Sequence, residues 1–216
     1  MDIVFAMILS IGIKGIPAVV EIAIQMLITN GVGVSEYGDY TFFVSLIEGA
    51  YFLLFSGSIK LNTFYLSTPS ASLSKFKKKY ALCFVTPIIA AIVAIFALMK
   101  NPYGILAGVI LYIYYFAFDM SSVFFSRGKQ LPALLGEYLF GRVVLLIGML
   151  VVIRLNAATG LMLLTLYGLQ FVTMLLWFAP HKGKLTQGTS EVEVPIKKLM
   201  EYQMSDVANS LISYAP

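Results

Sequence analysis

Cysteine occurs once, at Cys83, so an intrachain disulfide is excluded, and its apolar neighbours suit a small buried side chain. Histidine also occurs once, at His181 in a polar stretch, and no Cys/His cluster accompanies it to build a metal site. Charge is scarce. Only 12% of the 216 residues are Asp, Glu, Lys or Arg, against about 25% in a soluble domain. No DxD pair, HExxH, GxSxG or Walker loop is present, and no connection is long enough to hold a catalytic domain. These absences argue against an enzyme, and no cofactor is expected.

What is present in quantity is apolar sequence: 59% hydrophobic residues and a mean hydropathy of +0.87. Six segments reach the roughly 20 apolar residues that a spanning helix needs: Ile3–Thr29, Tyr40–Leu66, Tyr80–Met99, Tyr103–Phe125, Ala133–Ile153 and Ala158–Ala179. They lack the alternation of barrel strands, so the expected fold is an all-α integral membrane protein, a six-helix transmembrane bundle. The first segment has no basic start and no small-residue cleavage site, so it reads as a span and not as a signal peptide.

Orientation follows from Lys and Arg. One set of connections holds Lys75, Lys77, Lys78, Lys79, Arg127, Lys129, Lys182, Lys184, Lys197 and Lys198, whereas the other holds Lys100 and Arg154. That bias predicts a cytoplasmic N-terminus, and it explains the net charge of +4 without a nucleic-acid partner. The lysines after the second span also suit anionic lipid head groups. Three domains are expected: a membrane lobe over 1–180, a cytoplasmic linker over 181–195 and the amphipathic start of a seventh helix over 196–216.

Ionised side chains inside spans cost at least about 2.5–3.5 kcal/mol each at the bilayer centre, so they tend to face a cavity or a partner. Lys14 and Glu21 lie seven residues apart on one face of the first span, with Pro17 between them. Their expected surroundings are a water-filled cavity or an ion pair with a neighbouring helix. Arg142 is expected to pair with an acid such as Glu48 or to hold an anion in a lumen. Lys60 and Glu137 are close enough to the cytoplasmic end to reach water. Asp119 is expected to find a basic partner, and Glu48 is the deepest acid. The run "YIYYFAFDMSSVFF" reads as packed or lipid-facing aromatic surface, with a wall for sugar rings as the alternative.

The joint "LITNGVGVSEYGDYTFFVSL" resembles the link between the first two helices of the polysaccharide flippases, the Wzx-type O-antigen and capsule transporters. These belong to the superfamily of multidrug, oligosaccharidyl-lipid and polysaccharide flippases. The matching residues are Gly33, Glu36, Tyr37, Gly38 and Tyr40. Glycines there permit a tight turn and a close helix approach, and tyrosines suit the membrane interface. "FSGSIK" looks like the small-residue end of that family's second helix. "FSRGKQLPALLGEYLFGRVVLLIGML" is similar to its fourth-to-fifth connection, with Arg142 at the buried arginine.

The resemblance implies two six-helix lobes facing a central cavity, of which this chain corresponds to the first. It also implies translocation of an undecaprenyl-pyrophosphate-linked oligosaccharide across the bacterial inner membrane by alternating access. Lys14, Arg142 and Lys60 would then face the pyrophosphate, while Glu21, Glu48, Asp119 and Glu137 would couple or tune charge. Membrane lipids and the pathway's polysaccharide polymerase and chain-length regulator would be partners. The alternatives are an ion-coupled drug exporter of the same superfamily, a multispan polymerase of the pathway, and an inactive fragment or scaffold.

Overall fold

The computed structural model describes residues 3–66 and 102–181, with isolated positions 72, 75, 89, 92, 93, 197, 201 and 205. The expected third span, the linker beyond His181 and the expected seventh-helix start lie outside the described residues. Within them the architecture is all-helical. Helix α1 runs Ile3–Gly31, α2 Val34–Tyr65, α3 Pro102–Ser126, α4 Gln130–Arg154 and α5 Gly160–Phe178, closed by a 3₁₀ turn at Ala179–His181.

Helices α3, α4 and α5 are each long and apolar enough to cross a membrane, as in a multi-pass membrane protein. Helices α1 and α2, at 29 and 32 residues, are also of spanning length. Leu, Ile, Val, Phe and Met fill these elements because a helix satisfies every backbone N–H and C=O internally, as a lipid environment demands. The ends carry local signals. Pro102 opens α3 where its missing N–H costs nothing, and the Thr159 hydroxyl caps α5 by accepting from Met162 N–H at 3.3 Å. Between α3 and α4 the chain reverses through Gly128, whose φ of 71° suits a residue without Cβ.

Expected and observed bounds agree within three residues for α1, α3, α4 and α5. Helix α2 differs, since it starts at Val34, six residues before the expected Tyr40. The joint is therefore only Val32 and Gly33, and Gly33 has an ordinary negative φ of −63°. Glu36, Tyr37, Gly38 and Tyr40 are helical. The acidic stretch continues the helix because Glu36 in its first turn complements the helix macrodipole. The close approach expected of Gly33 and Gly38 falls instead at Gly31, where a Cβ would stand 2.6 Å from Ile153 Cγ2, while Gly33 and Gly38 face open space.

The helices pack as a fan. α1 lies against α4, α4 against α5, α5 against α3 and α3 against α2, and α2 returns to α5. α1 touches α2 only marginally although two residues join them. The core runs through Ile28, Ile47, Phe55, Leu111, Ala117, Leu145, Met149 and Leu163. Without a hydrophobic drive between helices in lipid, association rests on close packing and interhelical hydrogen bonds. The outer faces stay apolar, with Val19, Ile22 and Met26 on α1 and Leu176 on α5 all more than half exposed, as a lipid-facing surface would be.

Candidate polar cavity

Helix α4 organises the site. It begins as an α-helix at Gln130, passes through a π-helical turn at Leu135–Phe140, and resumes as α-helix at Gly141. A π turn shifts the faces that residues before and after it present. Ahead of it Pro132 O accepts from Trp177 Nε1–H at 3.0 Å, and inside it Phe140 stacks on Trp177 at 4.2 Å, so α5 anchors this stretch. Just after it Gly141 lies so close to α5 that a Cβ would sit 3.0 Å from the Gln170 carbonyl oxygen. Arg142 follows directly.

Arg142 meets Glu21 of α1, with Nη1 and Oε2 2.5 Å apart. The contact is an ion pair without the alignment of a hydrogen bond, since Glu21 Oε2 accepts none among the described residues. Both side chains stay partly open, at 30% exposed for Arg142 and 41% for Glu21. The partner of Arg142 is thus Glu21 and not the expected Glu48. Glu48 accepts instead from the Tyr167 hydroxyl at 2.9 Å. Glu137 accepts from the Ser121 hydroxyl at 3.1 Å.

Glu48, Glu137, Arg142, Tyr167 and Gln170 form the polar wall of a cavity of about 40 Å³, with Phe171 and Met174 among its apolar lining. It lies where α2, α3, α4 and α5 meet. About 10–15 Å³ is needed per water, so this space takes roughly three. Three of the expected charged residues are therefore gathered at one cavity, and Glu21 sits beside them through Arg142. Carboxylates predominate there.

Asp119 stands apart. It is 1% exposed and its Oδ1 accepts from Asn62 Nδ2–H at 2.5 Å, so a neutral amide supplies this bond. The same amide reaches Ser122 Oγ at 3.2 Å. Interhelical hydrogen bonds of this kind contribute about 0.6–1.7 kcal/mol each in membrane proteins. The side chains of Lys14 and Lys60 lie outside the described ones.

Of the joint residues, Glu36 has a distinct task. Its carboxylate accepts from Gly160 N–H, the first amide of α5, and so ties the start of α2 to the start of α5. Tyr40 is buried and packs edge-on to Tyr167 at 6.4 Å. The aromatic run divides between core and outer face: Tyr112 and Phe116 are exposed, while Tyr114 stacks between Tyr51, 4.2 Å away, and Phe171, 4.3 Å away. Asn62, Ser121, Tyr167 and Gln170 were not among the expected site residues. A glutamine inside the apolar run of α5 was the one visible signal.

Among the described residues no group of three or more His, Cys, Asp or Glu is placed to hold a metal ion. Compared with known proteins, the chain matches no family model, no curated protein and no solved structure.

Proposed function

We propose that the chain is a membrane-carrier lobe, with its N-terminus cytoplasmic, in the bacterial inner membrane. Its cargo in this reading is a lipid-linked (undecaprenyl-pyrophosphate) oligosaccharide, moved to the outer leaflet during O-antigen or capsule synthesis. The observation that carries the reading is the Arg142–Glu21 pair. It lies well inside two helices of spanning length, beside a polar cavity, yet both side chains keep a third or so of their surface open. A purely structural pair in a dry interior would be closed on all sides. A half-open guanidinium can leave its carboxylate for a diphosphate, because Arg matches both with the same paired N–H geometry. The joint motif adds the likeness to polysaccharide flippases.

The test is surface polysaccharide in the native host. Arg142→Ala should lower it about tenfold while the chain still reaches the membrane, and lipid-linked repeat units should accumulate inside, as expected when a charge-assisted contact is lost. Normal polymer at normal chain levels would remove Arg142 from the cargo path.

A second reading, an ion-coupled exporter of small cations, draws on the predominance of carboxylates. Glu21 pairs with Arg142, and Glu48 and Glu137 line the same cavity as that guanidinium. Loss of dye efflux with unchanged polysaccharide would favour it.

A further inference from the structure

Gln170 is 4% exposed, and its Nε2 has no hydrogen-bond partner among the described residues. An unmet buried amide donor costs about 1–3 kcal/mol. Gln170 also belongs to the wall of the polar cavity, which the carboxylates of Glu48 and Glu137 share. Its backbone lies against Gly141 of α4, where a Cβ would stand 3.0 Å from the Gln170 carbonyl oxygen.

We propose that this cavity is a built water site, and that Gln170 is the residue that holds it. The size decides the ligand class. About 40 Å³ accommodates roughly three waters and no sugar ring. The hydrogen-bond inventory agrees. Gln170 Nε2–H and the Arg142 guanidinium donate to the water oxygens, and the waters donate to the carboxylates of Glu48 and Glu137. Each water then finds the two to four polar partners that a buried water requires. The site joins α2, α4 and α5 through solvent, since its wall draws Glu48 from α2, Glu137 and Arg142 from α4 and Gln170 from α5. It needs no transported cargo and so stands independently of the proposed function.

X-ray radiolytic footprinting of the full chain in lipid nanodiscs tests it, since radicals born from interior water label the side chains beside them. Met174 lines the cavity and Met149 lies in the core, at 2% and 0% exposure, so bulk solvent reaches neither and their intrinsic reactivity is the same. Met174 should be oxidised at least about threefold faster than Met149, as a hydrated cavity of this size predicts. Gln170→Leu should bring Met174 down to the Met149 rate, with Met149 itself unchanged as the check on folding. Equal rates in the unaltered chain would show a dry cavity and overturn the proposal without any variant. Fast Met174 labelling that survives Gln170→Leu would overturn the assignment of Gln170.

Discussion

Two acids on separate parts of this fan differ in their surroundings. Asp119 of α3 is 1% exposed and takes its described bond from the neutral amide of Asn62. Glu21 of α1 is 41% exposed and faces the guanidinium of Arg142. Both look alike in sequence, a lone carboxylate in an apolar run. A closed acid fixed by a neutral donor on an adjoining helix holds helices together. An open acid against a partly exposed cation can exchange partners. The α2–α3 contact is thus the closed one and the α1–α4 contact, where the proposed function lies, the open one.

The largest effect should come from the closed side. Asn62→Ala removes the donor and leaves a buried carboxylate short of a bond, which should lower stability by about 3 kcal/mol. Reversible unfolding in detergent measures it. A loss below about 0.5 kcal/mol would make Asp119 no more structural than Glu21. On the open side Arg142→Ala should cost about 1 kcal/mol or less in the same assay, as for half-exposed ion pairs, despite its proposed tenfold effect on polysaccharide. A stability loss as large as that of Asn62→Ala would erase the contrast.

Smaller changes sharpen how α4 is placed. Gly141→Ala puts a methyl 3.0 Å from the Gln170 carbonyl oxygen and should destabilise by about 1 kcal/mol while shifting Arg142 away from α5. The matched Gly148→Ala presses only on the flexible end of Leu166 and should cost less. Glu36→Gln should be the mildest, about 0.5 kcal/mol, because it keeps an acceptor for Gly160 N–H but loses the charge at the α5 N-terminus. Thermal melts of the two glycine variants and of Glu36→Gln rank these terms.

Much of the helical layout was legible in the sequence because unbroken apolar runs have few alternatives in lipid. Four of the five described helices have bounds close to those expected. The start of α2 was not, since "GVSEYG" carries turn composition, and the bond from Gly160 N–H that ties Glu36 to α5 is visible only in the structure. The charged members of the cavity were visible as costly residues, but their pairing was not. Glu21 and Arg142 are far apart along the chain, and nothing local favours Glu21 over Glu48 as the partner. Neutral partners such as Tyr167 at the cavity, and Ser121 and Asn62 outside its lining, look like ordinary helix residues until a neighbouring helix supplies the carboxylate. The π turn at Leu135–Phe140 has no sequence signature that we can identify, although it sets the faces on which Glu137 and Arg142 emerge.

Thiol accessibility at position 142 tests the contrast most directly. With Cys83→Ser as background, the chain has no other cysteine, so a thiol introduced by Arg142→Cys reports alone. In sealed vesicles a charged, membrane-impermeant thiol reagent should modify the Arg142→Cys variant from at least one side. A Leu145→Cys control, at a site 1% exposed one turn along α4, should stay unmodified. Reaction at position 142 well above the control is the result that an open, water-reached guanidinium requires. Equal silence at both positions, from both sides of the membrane, would mean that Arg142 is sealed as tightly as the core.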